Sequence, residues 1–451
     1  MFTSLLLTAA LAPGQPPAPY YPNSVRAAAQ PPATLPMTAP TTPADPMPQT
    51  GNGNGATNGN GNGASGPPGN PDTAESIKTD KEEPPAPTKY LLERSLAGTS
   101  LGELLTDRGI TVYGWTAMSY NVSSASGSNL PRTLDDRANE FLLNQNYLHV
   151  EKTIDTSKKE FQLGWVSETI LPGSDYRYTV PRGLFNRQLT SNNGGPQLYG
   201  FDPYQFYVQA FLPGFGPQGT KVIVGRFNTH ISYEVVQQVD VPFVSRSYLF
   251  QYNPFTHTGV WATTVLNDTW TASYGASTGN DTFIDPANRF TFLGQLKWAP
   301  KDGKTTVLFN TSISDGDFNA RENFAFYNYY GFVVTHKFTD KLTYALDTGY
   351  SHVKDVPNIG FADWYGAVNY FIYAHTDTVS STLRAEVFND PTGFRTGSKG
   401  LYTEATYGVA WKPTPGLIIR PSVRYDNNSR TGAYEGSQNL YTATLEAIIR
   451  W

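Results

Sequence analysis

From Ile110 to the end of the chain, apolar and polar residues alternate with a period of two. That period belongs to strands with one face in an apolar medium and the other in water. The last segment shows it clearly. Tyr441, Ala443, Leu445, Ala447, Ile449 and Trp451 share one face, and Thr442, Thr444, Glu446 and Arg450 share the other. The pattern predicts sixteen strands, within a range of 14–18: 109–121, 142–154, 159–171, 203–212, 220–228, 257–266, 269–279, 290–299, 304–314, 326–338, 341–354, 362–375, 378–389, 399–412, 416–427 and 438–451. Most reach the ~9–11 residues that a tilted strand needs to cross a bilayer.

The connections narrow the architecture. Short links fall at 155–158, 267–268, 300–303, 338–341, 376–377 and 413–415. Longer ones intervene at 172–202, 229–256, 280–289, 315–325, 355–361, 390–398 and 428–437. Alternating short and long links are those of an up-and-down barrel with tight periplasmic turns and long outer loops. Greek-key connections in a soluble sandwich give no reason for such alternation. The expected fold is therefore all-β, a closed antiparallel transmembrane β-barrel over residues 109–451. An edge strand ending in an exposed Trp would invite aggregation in water. In a barrel, Trp451 takes a place in the interfacial aromatic girdle instead.

The first hundred residues read differently. Leu5 to Leu11, followed by the A-x-A-like Ala10-Leu11-Ala12, make 1–12 a candidate export signal, although a positive n-region is missing. Residues 13–89 are dense in Pro, Gly, Asn, Ala and Thr and carry too little apolar area to offset chain entropy, which predicts a disordered linker. Residues 90–108 form a short helical lead-in, with Ser100 as the expected N-cap and Glu103 at capping-box spacing. It packs beside the barrel or covers one mouth.

Composition removes several function classes. Aromatic residues reach 14% while all apolar residues together are only 39%, a balance that suits a lipid-facing sheet better than an aliphatic core. The net charge of −5 offers no polybasic surface for nucleic acid. Without cysteine there is no disulfide, thiolate metal site or Cys nucleophile. None of the six histidines (149, 230, 257, 336, 352 and 375) lies in a G-x-S-x-G or H-E-x-x-H context. No catalytic residue, cofactor or metal site is therefore expected.

Candidate functional residues follow from strand phase. On 416–427, Leu417, Ile419, Val423 and Tyr425 oppose Arg420, Ser422, Arg424 and Asp426. An Arg facing lipid at the midplane would cost roughly 2–4 kcal/mol, so this second face belongs inside. The same argument points Arg384 and Glu386 inward against Val379, Leu383, Ala385 and Val387. It points Glu404 inward against Thr403, Ala405 and Tyr407, and Asp347 inward between Leu346 and Thr348. On 220–228 it points Arg226 inward and leaves Ile223 and Phe227 to lipid. Strand 326–338 is ambiguous, because neither phase keeps both His336 and Lys337 off the lipid. These charges are expected to stand in water along the lumen, where they either wet the wall or set solute selectivity. The connection 229–256 has enough apolar residues to pack. It is expected to fold inward as a constriction, with Glu234, Asp240 and Arg246 as its charged candidates.

At Val224-Gly225-Arg226-Phe227, Ser245-Arg246-Ser247-Tyr248, Tyr252-Asn253-Pro254-Phe255-Thr256-His257-Thr258-Gly259 and Phe361-Ala362-Asp363-Trp364-Tyr365-Gly366-Ala367-Val368-Asn369-Tyr370, the chain resembles a large family of bacterial outer-membrane β-barrel porins related to the carbohydrate-selective porins. The resemblance covers about 95–451. It implies a passive outer-membrane channel for small hydrophilic solutes, with carbohydrates known only for the better-studied relatives. The aromatic C-terminal residue resembles the signal read by the barrel-assembly machinery. The implied partners are outer-membrane lipid, that machinery and the solutes. The alternative is a structural or adhesion barrel without an open pore.

Overall fold

The structure is a computed structural model that describes residues 91–190, 197–284, 289–318, 325–430 and 432–451. The export-signal and linker expectations for 1–12 and 13–89 lie outside the described residues. Two short helices, α1 (Leu91–Leu96) and α2 (Ser100–Asp107), lead into the first strand. The sixteen strands are β1 (Ile110–Ser123), β2 (Phe141–Lys152), β3 (Gln162–Gly173), β4 (Gly200–Leu212), β5 (Thr220–Asn228), β6 (Thr256–Val265), β7 (Trp270–Asn280) and β8 (Thr291–Trp298), followed by β9 (Thr305–Ile313), β10 (Asn328–Lys337), β11 (Leu342–Val356), β12 (Gly360–Ala374), β13 (Val379–Asp390), β14 (Gly400–Thr414), β15 (Leu417–Asn428) and β16 (Asn439–Arg450). The loops add two single-turn helices, α3 (Tyr176–Thr179) and α4 (Tyr248–Gln251).

Each strand pairs antiparallel with its sequence neighbours, and β1 pairs with β16, so the sheet closes into a barrel without an edge. Closure satisfies every strand's backbone groups inside the sheet, which lipid requires. At the seam, Trp115 to Ser123 run against Arg450 to Thr442. Beyond the last strand residue, Trp451 exchanges backbone hydrogen bonds with Gly114 at 2.8 and 2.9 Å. Its indole N–H donates to Thr116 Oγ1 at 3.1 Å. A Cβ on Gly114 would collide with the Trp451 ring, so the glycine is what lets the terminal aromatic lie across the seam.

The two faces of the wall separate as the alternation requires. Phe332, Val423, Tyr441 and Leu445 are at least half exposed on the outside. Arg384, Glu404, Thr406 and Glu446 on the other face are buried. Every strand end lies within three residues of its expected position. Two links depart from expectation. The connection after β2 spans 153–161, and the one between β11 and β12 is only 357–359, because those strands continue as a hairpin past the expected loop.

The lead-in also differs. Thr99, not Ser100, caps α2 by accepting from Gly102 N at 3.1 Å. Ser100 is the first helical residue. No residue of α2 is buried, and Leu101 and Leu104 are exposed.

Candidate functional site

The segment between β5 and β6, residues 229–255, is pinched at its base by a Thr229 N to Phe255 O hydrogen bond of 3.1 Å. Its partners lie right round the wall. His230 meets the Thr311 carbonyl of β9 at 2.9 Å and stacks on Trp261 of β6 with ring centroids 4.6 Å apart. On β11, Asp347 accepts from Tyr233 N at 2.9 Å and from the Ser232 hydroxyl. Gln145 of β2 donates to Val236 O at 2.6 Å, and Gln237 donates to Glu168 of β3 at 2.9 Å. Contacts to β2, β3, β6, β9 and β11 from one short segment are possible only from inside the barrel. Nearly every residue from Thr229 to Phe255 is buried there.

The strand charges named from phase meet this segment. Arg384 donates to Glu234 at 2.7 Å and to Ser245 O at 2.9 Å, and pairs with Glu404 of β14 at 3.1 Å. Glu386 accepts from the backbone N–H of Tyr248 and Leu249, each at 2.6 Å, where α4 begins. Arg424 pairs with Asp426 at 2.6 Å and donates to Arg246 O at 2.6 Å. Arg420 pairs with Glu446 of β16 at 2.7 Å, donates to Gln238 O at 2.8 Å and bonds Val241 O. Asp426 also accepts from the Tyr248 hydroxyl at 2.8 Å.

The expectation that these charges stand in water does not hold. Arg384 is 0% exposed, Arg420 3%, Arg424 5%, Glu386 4%, Glu404 3% and Asp426 and Asp347 0%. The physical reason is the loop. It carries carbonyls, amides and Glu234 to the wall at matching heights, and those groups replace water around each guanidinium. Strand phase gave the direction of these side chains correctly. It could not give what occupies the space they point into.

The three loop candidates have separate roles. Arg246 is buried and directs its five donors within the loop, to the carbonyls of Val235, Val236, Phe243 and Val244 and to Gln238. Burial lowers its pKa to about 10. Glu234 holds Arg384 and also accepts from Ser247 N at 2.7 Å. Asp240 is half-buried, and burial pushes its carboxyl up to about 6 against the pull of Arg450, Lys412 and Arg420.

Strand β5 corrects one expectation. Ile223 and Phe227 were assigned to lipid, yet each is 1% exposed and packs with Val166, Tyr207, Trp261 and Leu293. It is Val224 that faces outward. Gly225, at φ +142° and seated against the Phe206 carbonyl, breaks the alternation, so Arg226 and Phe227 are both buried. Arg226 pairs with Asp202 at 2.6 Å and donates to Thr179 O at 2.6 Å, below α3. On β10 the ambiguity resolves. Val333 is buried inside and Phe332 exposed outside, which puts Lys337 on the inner face and His336 on the outer one.

Sequence reasoning did not name several members of this network. Gln145 joins Trp115, the loop and Asp175. Glu168 joins Tyr147, His149 and Gln237. Arg132 pairs with Asp135 at 2.5 Å, and Arg177 with Asp136 at 2.6 Å, both from outer loops. Period two over β2 and β3 was the only available signal, and it reaches strand residues alone. Among the described residues, no group of three or more His, Asp or Glu could hold a metal ion.

Comparison with known proteins supplies the family. The model described as "Putative beta-barrel porin-2, OmpL-like" matches residues 109–451. No curated protein matches the sequence. Among solved structures, the anion-selective porin from Comamonas acidovorans is similar at 9% identity and a TM-score of 0.51, over 76% of this chain and 99% of that one. The outer membrane channel DcaP of Acinetobacter baumannii is similar at 12% identity and a TM-score of 0.49, over 76% and 97%. Pseudomonas putida OprB is similar at 13% identity and a TM-score of 0.48, over 78% and 96%. At 9% identity the likeness to the Comamonas porin is one of fold.

Proposed function

The chain belongs to that family of β-barrel porins of the bacterial outer membrane, and on this premise we propose that it is a passive channel for small hydrophilic solutes, carbohydrates among them, narrowed by the infolded segment 229–255. The observation that carries the reading is the bonding of one loop to interior side chains of opposite walls, at Gln145 and Glu168 on one side and Asp347 and Glu386 on the other. A loop anchored so widely fixes the bore rather than hanging in it. Beside the loop, β7 to β9 present hydroxyls and amides on the inner face, such as Ser273, Gln295 and Asn310. Such groups exchange hydrogen bonds with a solute as its hydration water is stripped. The work is transport without a catalytic step.

The packed interior favours a second reading, a barrel closed at rest that serves a structural or adhesive role. Swelling of proteoliposomes in sugars and amino acids of graded size separates the two. The channel reading expects rates that fall steeply as solute size rises. Absence of swelling with the smallest solute supports the closed barrel. Trp451, locked across the seam, is proposed as the residue read by the barrel-assembly machinery.

A further inference from the structure

Below the loop, at the end of the barrel that carries the short turns, the interior changes character. Five strands end there with a cation on the inner face: Lys221 on β5, Lys297 on β8, Lys337 on β10, Lys412 on β14 and Arg450 on β16. Their phase is fixed by buried inner neighbours two to six positions along: Ile223, Leu293, Val333, Thr406 and Ile448. All five side chains are half-buried, so each keeps contact with solvent, unlike the arginines of the central belt. Two inner-face carboxylates lie close to these cations, Glu151 and Asp240. Glu151 is held by His149 at 3.2 Å and by Gln209 at 3.3 Å. Among the described residues, no carboxylate lies within ion-pair distance of Lys337 or Lys412. Asp240 faces Lys412, Arg450 and Arg420 together. The turns beyond this level are mixed in sign and pair locally, as Lys301 does with Asp268 at 2.6 Å.

We propose that this ring is an anion-binding vestibule that draws small oxyanionic solutes, carboxylates and phosphates, through the periplasmic mouth. The proposal rests on the channel reading for its transport consequence but not for the binding site itself. The physical argument is focusing. The cations stand two to five strands apart round one mouth between low-dielectric walls, and such a cleft raises the local concentration of the opposite charge. The Debye length is ~8 Å at physiological salt and ~30 Å at ~0.01 M, so the charges act on one ion together most strongly at low salt. Lysine suits this use, since its mobile ammonium offers three donors without fixing a single geometry.

The test uses the full chain reconstituted in planar bilayers under a potassium chloride gradient. Native protein is expected to prefer chloride. The pair Lys337→Gln and Lys412→Gln is expected to lower the anion-to-cation permeability ratio about threefold, more at low salt than at high. The pair Lys337→Arg and Lys412→Arg should keep the native ratio, and Lys399→Gln, exposed at the opposite end, should leave it unchanged. In parallel, binding of inorganic phosphate is measured by calorimetry on the detergent-solubilised chain. A native channel that is cation-selective, or a Gln pair with unaltered ratio and phosphate affinity, overturns the vestibule while leaving the channel intact. A native protein that does not conduct but binds phosphate, with binding lost in the Gln pair, overturns the channel and supports the vestibule. Neither conduction nor binding overturns both.

Discussion

The central belt and the turn-side mouth carry the same kinds of side chain on the same inner face, yet they behave as different materials. In the belt, Arg384, Arg420 and Arg424 each have a carboxylate within 3.1 Å and a loop carbonyl as well. At the mouth, Lys337 and Lys412 keep solvent contact and have no such partner among the described residues. Facing the lumen is therefore not the same as lining a pore. Whether an inward charge is a structural bolt or a field source depends on what the loop brings to it. A buried ion pair contributes little over an apolar substitute, but breaking one leaves a charge stranded.

That asymmetry ranks the ways to break the comparison. Arg384→Met is expected to have the largest effect, because it takes from Glu234 the only guanidinium within ion-pair distance among the described residues and leaves Glu404 with Arg424 at 3.8 Å. The cost should be ~3–5 kcal/mol, felt first as release of the loop. Limited proteolysis within 229–255 should speed up at least tenfold, while the same change at Lys337 leaves it unaltered. Equal protease resistance in Arg384→Met would show that the belt does not hold the loop.

Next comes the seam. Removing Trp451 deletes its two backbone bonds to Gly114 and the indole bond to Thr116. Outer-membrane yield should fall severalfold, while barrels that do assemble conduct normally. Gly114→Val should reproduce the defect by displacing the Trp451 ring. Normal yield of both variants would mean that the terminal residue is merely accommodated.

A smaller effect concerns pH and sits where the two regions meet. Asp240 has a carboxyl raised to about 6 by burial, and the buried Asp175 one raised to about 7. Between the unfolded carboxylate range near 3.9 and these values, the folded chain holds protons that the unfolded chain has lost. Stability from these groups therefore grows as pH falls from 8 towards 4, and is lost as pH rises through 6 to 7. Loop proteolysis should be slower at pH 5 than at pH 8, and Asp240→Asn with Asp175→Asn should flatten the difference. An unchanged pH profile in the double variant would remove both groups from the account.

Much of the wall was legible in the sequence because lipid enforces it. A wrong phase exposes Arg to hydrocarbon, so the face assignments of Arg384, Glu404, Arg420 and Asp347 were dictated by cost. The assignment failed at Ile223 and Phe227, where Gly225 interrupts the period and the inner surface is itself apolar. An apolar residue carries no penalty on either face, so alternation alone cannot place it. The central site was less legible. Arg384 and Glu234 are 150 positions apart in sequence, and no local pattern joins a strand to a loop folded across the lumen. Sequence suggested that 229–256 would pack, but not that its backbone would take up nearly every belt arginine. The cap of α2 moved by one residue because Thr99 and Ser100 are equally able to accept from the first turn.

The central claim is that segment 229–255 sets the bore of a channel. The direct measurement is single-channel conductance of the native chain beside a variant in which residues 232–252 are replaced by a short Gly-Ser linker. The account predicts steady openings in the native chain and a severalfold larger conductance in the shortened one, with larger sugars admitted. Equal conductance in the two, or none in either, would contradict it.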